Sequence, residues 1–253
     1  MDSLKLSLKV AAVLPAYENE ATVAQVLKAI PREYFEHIIL VDNNSKDRTF
    51  EIACQDKSIL AFRNERNLGY GGNLKRGFGV ALDLGADIII EIHADGEYGV
   101  ESIGAAIHEI KKGAGLVLGN RFAPGLDPLK SGMFYWKYPS IRAMNWIANR
   151  AMGTSFGDLH QGFRVYSAKF LKSVDYKNND NDYLFSFEII AQAIFYQFLV
   201  QQVPQRCQYS GKRRGSSFVS NIGYSISVFG VLMQFFCARA GLSTPLFPQR
   251  MKT

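Results

Sequence analysis

Three side chains that can bind a metal ion follow a short apolar run near the middle of the chain. His93, Asp95 and Glu97 alternate in sequence shortly after the apolar residues 88–90. Side chains of an extended strand alternate between its faces, so these three would point the same way if the extended path continued. An imidazole with one or two carboxylates suits a divalent ion such as Mn²⁺, and diphosphate oxygens could complete the coordination. The pattern predicts a metal site, although a strand ending in a polar, glycine-containing turn gives a similar string.

The elements that must position these residues alternate along the first half of the chain. Apolar runs predict strands at 10–14, 37–41, 59–62, 86–92 and 115–119. Helical spacing predicts helices at about 23–30, 48–55, 72–84 and 102–112. This alternation implies an α/β fold with a mostly parallel sheet covered on both faces, whose ligands bind at the carboxyl ends of the strands. The polar segments at those ends are 17–20, 42–45, 63–67 and 93–97.

The pattern changes after Arg121. A loop rich in proline and glycine leads through the aromatic stretch 134–146 into a helix that ends near Gly153. A second helical pattern covers 183–195, and a strand is predicted at 198–203. The polar segment 178–182 is typical of a solvated loop.

Composition excludes several classes of protein. The chain has 253 residues, of which 47% are hydrophobic and 21% charged, so it is globular and not disordered. We expect no secretory signal, and three scattered cysteines argue for a reducing cytoplasm. The net charge of +6 favours an acidic partner, but nothing beyond that charge suggests nucleic acid, so we expect none.

The C-terminal part is basic and then uncharged. Lys212, Arg213 and Arg214 form the densest basic cluster, and residues 219–238 carry no charge. Twenty residues could cross a bilayer, but serine, asparagine, glycine and glutamine interrupt this run. We therefore expect a helix that is buried or lies at a membrane surface.

Six strings along the chain resemble, in order, the signature sequences of glycosyltransferase family 2. They are residues 14–20, 41–47, 67–72, 93–97, 119–121 and 158–164. The likeness extends from about residue 10 to about residue 218. Within the family the chain looks most like the synthases of polyprenyl-phosphate and dolichyl-phosphate sugars (mannose or glucose), because of its Gly-Phe-Arg segment and the later basic Arg-Gly-Ser motif.

The resemblance implies a GT-A fold in which a nucleotide sugar lies across the carboxyl edge of the sheet. We expect a catalytic domain at 1–217, divided into a nucleotide-sugar half at 1–121 and an acceptor half at 122–217, and a C-terminal helical segment at 218–253. By motif match, Pro15, Tyr17 and Glu20 would line the nucleoside pocket. Asp42 would bind the base or ribose, and Asp95 would lie at the diphosphate.

The family's metal motif usually runs Asp-x-Asp, often with glutamine two residues later. This chain has His93 in place of the first aspartate and Glu97 in place of the glutamine. Asp95 is therefore the expected ligand of Mn²⁺ or Mg²⁺, and Glu97 is a ligand or its neighbour. His93 could bind the metal as neutral imidazole, bond a phosphate as imidazolium, or pack; ligation by imidazole would favour Mn²⁺.

The resemblance also assigns cations to the acceptor. Arg121 and Arg164 match arginines near the acceptor side, and Lys212 and Arg214 match a basic pair, although the usual Ser-Lys after that pair is Ser-Phe here. Asp158 would be the base for a hydroxyl acceptor, or could fix the loop that carries Arg164. A phosphate acceptor is already ionised and needs no strong base.

The favoured interpretation is a metal-dependent, inverting glycosyltransferase at the inner membrane face. It would move a hexose from a UDP- or GDP-sugar to a polyprenyl phosphate. Two alternatives stay open: transfer to a hydroxyl of a saccharide or lipid-linked glycan, and a nucleotide-sugar-binding protein without activity. The sequence leaves the oligomeric state open.

Overall fold

The computed structural model describes residues 8–209 and 218–248. Its strands are β1 Val10–Ala16, β2 His37–Asp42, β3 Ile59–Arg63, β4 Ile88–Glu91, β5 Leu116–Asn120, β6 Arg164–Ser167 and β7 Val200–Pro204. Its helices are α1 Val23–Ala29, α2 Thr49–Gln55, α3 Gly69–Asp83, α4 Ile103–Lys111, α5 Lys137–Met152, α6 Ala168–Ser173, α7 Phe185–Phe195 and α8 Phe218–Arg239. The predicted strands and helices of the first half are thus confirmed, with shifted ends.

The strands form one sheet in the order β3-β2-β1-β4-β6-β5-β7. Every neighbouring pair is parallel except the two that involve β6, which is antiparallel to both β4 and β5. The carboxyl ends of the other six strands therefore meet at one edge. β6 and β7 come from the second half of the chain, so both halves build the same sheet.

Alternation along β1 explains why the sheet is covered on both faces. Ala11 and Val13 pack into one hydrophobic cluster, and Ala12 and Leu14 pack into the other. Gly77 of α3 lies so close to β1 that a Cβ there would come within 2.4 Å of Val13 Cγ1. This glycine lets α3 approach the sheet.

The polar segment 178–182, predicted to be a solvated loop, packs against the start of α3. The amide of Gly72 donates to the carbonyl of Asn181 at 3.0 Å, and Lys75 Nζ bonds Asn181 Oδ1 at 2.8 Å. A Cβ at Gly71 would come within 2.6 Å of the Asp180 carbonyl oxygen. The predicted exposure of this segment is confirmed, since Asn179 is the one buried residue of its five, and the glycines at the helix terminus leave room for it to pack there.

The C-terminal helix α8 lies against α7 and α5. Its buried face, with Val228, Leu232 and Phe235, belongs to the larger hydrophobic cluster. Among the described residues, no helix is long and apolar enough to cross a membrane.

Candidate active site

Asp42 ends β2 at the carboxyl edge, and its carboxylate is fully buried. Oδ2 accepts a hydrogen bond from the amide of Ser45 at 3.1 Å and lies 3.3 Å from Arg63 Nε. Oδ1 is buried and has no hydrogen-bond partner among the described residues. A buried acceptor without a partner is costly, so this oxygen is ready for a donor from a ligand.

Of the other residues predicted for the nucleoside pocket, two lie beside Asp42 and the third is bonded at the start of a neighbouring helix. Pro15 pairs with Val41 within the sheet, and Tyr17 follows β1 and is partly exposed. Both therefore lie beside Asp42. The Glu20 carboxylate accepts a hydrogen bond from the amide of Arg48 at 3.2 Å. It therefore binds the residue that precedes α2.

Glu91 is a buried centre of hydrogen bonding at the end of β4. Tyr166 donates its hydroxyl proton to Oε2 at 2.7 Å, and the Tyr70 hydroxyl donates to Oε1. His93 Nε2 lies 3.0 Å and Arg164 Nη1 lies 3.8 Å from Oε1. Glu91 was not among the site residues predicted from the sequence, and neither were the two tyrosines.

The charges of this centre are set by its partners. Burial alone would raise the pKa of Glu91, but the hydrogen bond with His93 and the charge of Arg164 outweigh it and lower that pKa. Burial alone would lower the pKa of His93, but the hydrogen bond and the charge of Glu91 raise it. The arrangement favours an imidazolium at His93 that donates to Glu91.

The predicted cluster of three metal ligands is not formed. β4 ends at Glu91, and the chain then turns through Asp95 to Gly96, which has a φ of +72°. The described residues contain no group of three His, Cys, Asp or Glu side chains that could hold a metal ion. The expectation of one extended edge was wrong because the strand is too short to carry the alternation past His93.

Two carboxylates nevertheless remain near each other at this edge. Asp95 is exposed, and its Oδ1 accepts the amide proton of Glu97 at 2.9 Å. Burial and the charge of Asp95 raise the pKa of Glu97. Two adjacent carboxylates suit a divalent ion whose other positions are filled by water and substrate phosphates. The site therefore fits a metal held by one or two carboxylates, not by three protein ligands.

Arg121 follows β5 and forms a buried ion pair with Asp158. Nε lies 2.5 Å from Oδ2, and Nη2 lies 3.2 Å from Oδ1. Nη1 of the arginine donates to the hydroxyl of Tyr209 at 2.9 Å. Asp158 also accepts the amide proton of His160 at 3.1 Å. The carboxylate proposed as a base is therefore held by an arginine.

The remaining predicted cations are placed differently. Arg164 starts β6 and is only 2% exposed, opposite Glu91 on one side and Leu118 on the other. It is therefore buried at the carboxyl end of β4, and Arg121 follows the carboxyl end of β5. Lys212 and Arg214 lie outside the described residues.

Helix α8 reaches this site through a residue for which the sequence gave no role. His160 lies in the last of the six strings of family likeness, between Asp158 and the Gly-Phe-Arg segment, and its Nδ1 is 3.0 Å from the hydroxyl of Tyr224 on α8. Its ring stacks on Phe187, and burial lowers its pKa to about 4. The C-terminal helix is thereby joined to the segment that carries the Arg121 partner.

A mostly parallel sheet with carboxylates and an arginine at its carboxyl edge is the architecture of a GT-A glycosyltransferase. The family model for glycosyl transferase family 2 matches residues 11–174. The chain belongs to this family and is a glycosyltransferase.

Similar proteins agree with this assignment. The polyprenol monophosphomannose synthase of Mycolicibacterium smegmatis is 25% identical over 205 residues, which cover 76% of this chain and 74% of that protein. A UDP-N-acetylglucosamine–dolichyl-phosphate N-acetylglucosaminyltransferase of Methanococcus voltae is 25% identical over 234 residues, covering 85% and 91%. The fold resembles glucosyl-3-phosphoglycerate synthase from Mycobacterium tuberculosis, solved with Mn²⁺, UDP and phosphoglyceric acid. The TM-score is 0.66 at 16% identity, covering 94% of this chain and 80% of that one.

Proposed function

We propose that this glycosyltransferase is metal-dependent and inverting, and that it moves a hexose from a UDP- or GDP-sugar to a polyprenyl phosphate at the cytoplasmic face of a membrane. Two relatives named as enzymes of polyprenyl or dolichyl phosphate support the acceptor class. The similar structure that contains UDP supports a nucleotide donor.

The donor would lie across the carboxyl edge of β1, β2 and β4. The unpartnered Oδ1 of Asp42 supplies an acceptor for a base N–H or a ribose hydroxyl. Pro15 and Tyr17 lie beside it and would flank the nucleoside. The amide of Ser45 and Arg63 fix the carboxylate of Asp42 through Oδ2, so Oδ1 loses little freedom when the nucleotide binds.

Asp95, with Glu97, would hold the divalent ion, Mn²⁺ or Mg²⁺. When bound, the ion stabilises the negative charge that grows on the departing nucleoside diphosphate. His93, whose pKa is raised by Glu91, would add a donor for the diphosphate instead of a third ligand. Arg164 is buried and lies next to Glu91. It would therefore position Glu91 and His93 and would not contact the acceptor.

The ion pair of Arg121 with Asp158 is the observation that carries the choice of acceptor. Asp158 accepts two hydrogen bonds from the guanidinium, so it is a poor base for a hydroxyl acceptor. A phosphate monoester needs no base: one of its oxygens attacks the anomeric carbon, and the bond from that carbon to the diphosphate breaks. The bonding electrons leave with the nucleoside diphosphate, and the configuration at the anomeric carbon inverts. Lys212 and Arg214 are proposed to hold the acceptor phosphate.

A hydroxyl acceptor is the second candidate, and one observation favours it. Glu97 forms no ion pair among the described residues and lies partly exposed at the same edge. A carboxylate in that position could take the proton from a saccharide hydroxyl.

The experiment offers the purified full chain a panel of UDP- and GDP-hexoses with Mn²⁺ or Mg²⁺. The acceptors are a polyprenyl phosphate, the matching free polyprenol and a soluble saccharide. We expect transfer to the phosphate alone, with inversion at the anomeric carbon measured by NMR of the product. Transfer to the polyprenol or the saccharide but not to the phosphate would overturn the proposal and make Glu97→Gln the decisive variant.

A further inference from the structure

The outer surface of α8 is an apolar stripe. Ile226, Phe229, Met233 and Phe236 recur at intervals of three and four residues, so they share one side of the helix. Each of these side chains is between 46% and 67% exposed. The opposite side of α8 is buried against α5 and α7, so the stripe is not part of the core. A contiguous exposed apolar surface of this kind marks an interaction site.

The neighbouring helix α5 also exposes a tryptophan and cations. Trp146 is 69% exposed, and Arg142 and Arg150 are exposed at spacings of four residues on either side of it. Tryptophan and arginine are the residues that favour the boundary between lipid headgroups and hydrocarbon. We call the exposed residues Trp146 and Arg150, together with the α8 stripe, the α5–α8 face.

The charge of the chain is distributed unevenly along its sequence. Residues 189–253 contain seven of the 29 lysines and arginines and none of the 23 acidic residues. The first 188 residues contain 22 basic and 23 acidic residues, so the whole net positive charge comes from the last quarter of the chain. Residues 128–157, which include α5, also contain no aspartate or glutamate. An anionic surface complements such a segment.

A second copy of this chain is a poorer occupant. A twofold interface through the α5–α8 face would bring the same patch of both copies together. Arg150 and Arg239 would then face an equally cationic surface, since neither α5 nor α8 contains an acidic residue. Like charges across an interface oppose association.

The face is also joined to the candidate active site. Tyr224 of α8 bonds His160, which lies two residues from the Asp158 partner of Arg121. Ile226, the first member of the stripe, follows Tyr224 by two residues. The stripe therefore begins within one helical turn of the residue that contacts the site.

We propose that the α5–α8 face docks on an anionic lipid bilayer. The stripe of α8 enters the headgroup region, Trp146 lies at the boundary, and Arg150 and Arg239 pair with lipid phosphates. The inference rests on the proposed function only for its location, since a lipid-linked acceptor must be reached at a membrane. With this face on the bilayer, the protein would be oriented so that the carboxyl edge of the sheet could receive that acceptor.

The test measures binding of the purified full chain to vesicles that contain neither donor nor acceptor. Vesicles of pure phosphatidylcholine are compared with vesicles that contain phosphatidylglycerol, at low and high salt. Phe229→Ser with Phe236→Ser shortens the stripe, and Arg150→Gln with Arg239→Gln removes charge. Leu60→Ser with Leu199→Ser is the matched control, because both leucines are exposed but lie outside α5 and α8.

We expect the parent and the leucine control to bind the anionic vesicles, with weaker binding at high salt. The phenylalanine pair should weaken binding about tenfold or more, and the arginine pair should weaken it only on anionic vesicles. Unchanged binding of the phenylalanine pair would overturn the proposal. So would a parent dimer, seen by light scattering, that the phenylalanine pair dissociates without loss of vesicle binding. Transfer to polyprenyl phosphate in detergent is assayed in parallel, so failed docking with intact transfer would leave the proposed function standing.

Discussion

Arg121 and Asp158 are joined by two hydrogen bonds in a pair that is almost entirely buried. Asp158→Asn should therefore lower the free energy of unfolding by about 3–5 kcal/mol, because it leaves a buried guanidinium without its counter-charge. Urea unfolding measures this loss. An Arg121→Met, Asp158→Leu double variant is the control and should recover part of it, since both charges are then absent. If Asp158→Asn kept full stability but lost its activity, Asp158 would instead act as the catalytic base.

Gly69 and Gly79 of α3 should respond to alanine in opposite directions. Gly69 has a φ of +77°, and a Cβ there would come within 2.2 Å of the carbonyl oxygen of Asn181. Gly69→Ala should lower the free energy of unfolding by about 2–4 kcal/mol, because it combines an unfavourable backbone conformation with a backbone clash. Gly79 faces open space within the same helix, so Gly79→Ala should raise it by up to about 1 kcal/mol. Equal effects would mean that segment 178–182 does not pack on this terminus.

His160 should make stability depend on pH. Burial holds its pKa at about 4 in the folded chain, against 6.5 for the free side chain. Below pH 6.5 the unfolded chain binds a proton that the folded ring does not, so stability is lost as the pH falls from 6.5 to 4. The loss amounts to up to about 3 kcal/mol. Unfolding of the parent and of His160→Phe across this range measures it.

The phenylalanine keeps the stacked ring on Phe187 but cannot titrate, so its stability should fall less steeply below pH 6.5. His108→Gln, on the exposed side of α4, is the control and should follow the parent. Parallel curves for the parent and His160→Phe would contradict the buried neutral state.

The sequence predicted the alternating part of the fold well, because each strand there is a separate apolar run between helical patterns. β6 was missed. Its four residues include the charged Arg164, and an antiparallel strand between β4 and β5 breaks the regular order that alternation implies. The alternating pattern therefore gave no indication that Arg164 is buried against Glu91.

Part of the candidate site could be located from the sequence, because apolar runs show where strands end. This is why Asp42 and Asp95 were expected at the carboxyl edge, where both lie. His93 contacts Tyr70 from α3, and its partner Glu91 accepts a hydrogen bond from Tyr166 of β6; both tyrosines are distant in sequence. Motif spacing carries no information on such contacts, so ligation by His93 and a base at Asp158 stay predictions.

The cysteines should differ sharply in reactivity. Cys207 is buried, and burial raises the pKa of its thiol to about 11, whereas Cys54 is exposed. Only the thiolate reacts with alkylating agents. Iodoacetamide at pH 8 should therefore modify Cys54 and leave Cys207 unmodified until urea unfolds the chain, as peptide mass spectrometry would show. Modification of both at similar rates in the folded protein would contradict the packing of Cys207.

Asp95→Asn should remove turnover while the fold survives. The side chain is exposed, and the one hydrogen bond that it accepts from the described part of the chain, from the amide of Glu97, can also be accepted by an asparagine oxygen. The thermal midpoint should stay near that of the parent, and the rate should fall about a thousandfold, because the divalent ion loses a charged ligand. Asp83→Asn, an exposed aspartate at the end of α3, is the matched control and should keep full activity.

Mn²⁺ binding in the presence of a nucleoside diphosphate, followed by electron paramagnetic resonance, reports the metal separately from turnover. If Asp95→Asn binds Mn²⁺ and turns over like the parent, the ion is held elsewhere, and Glu97 becomes the first residue to substitute.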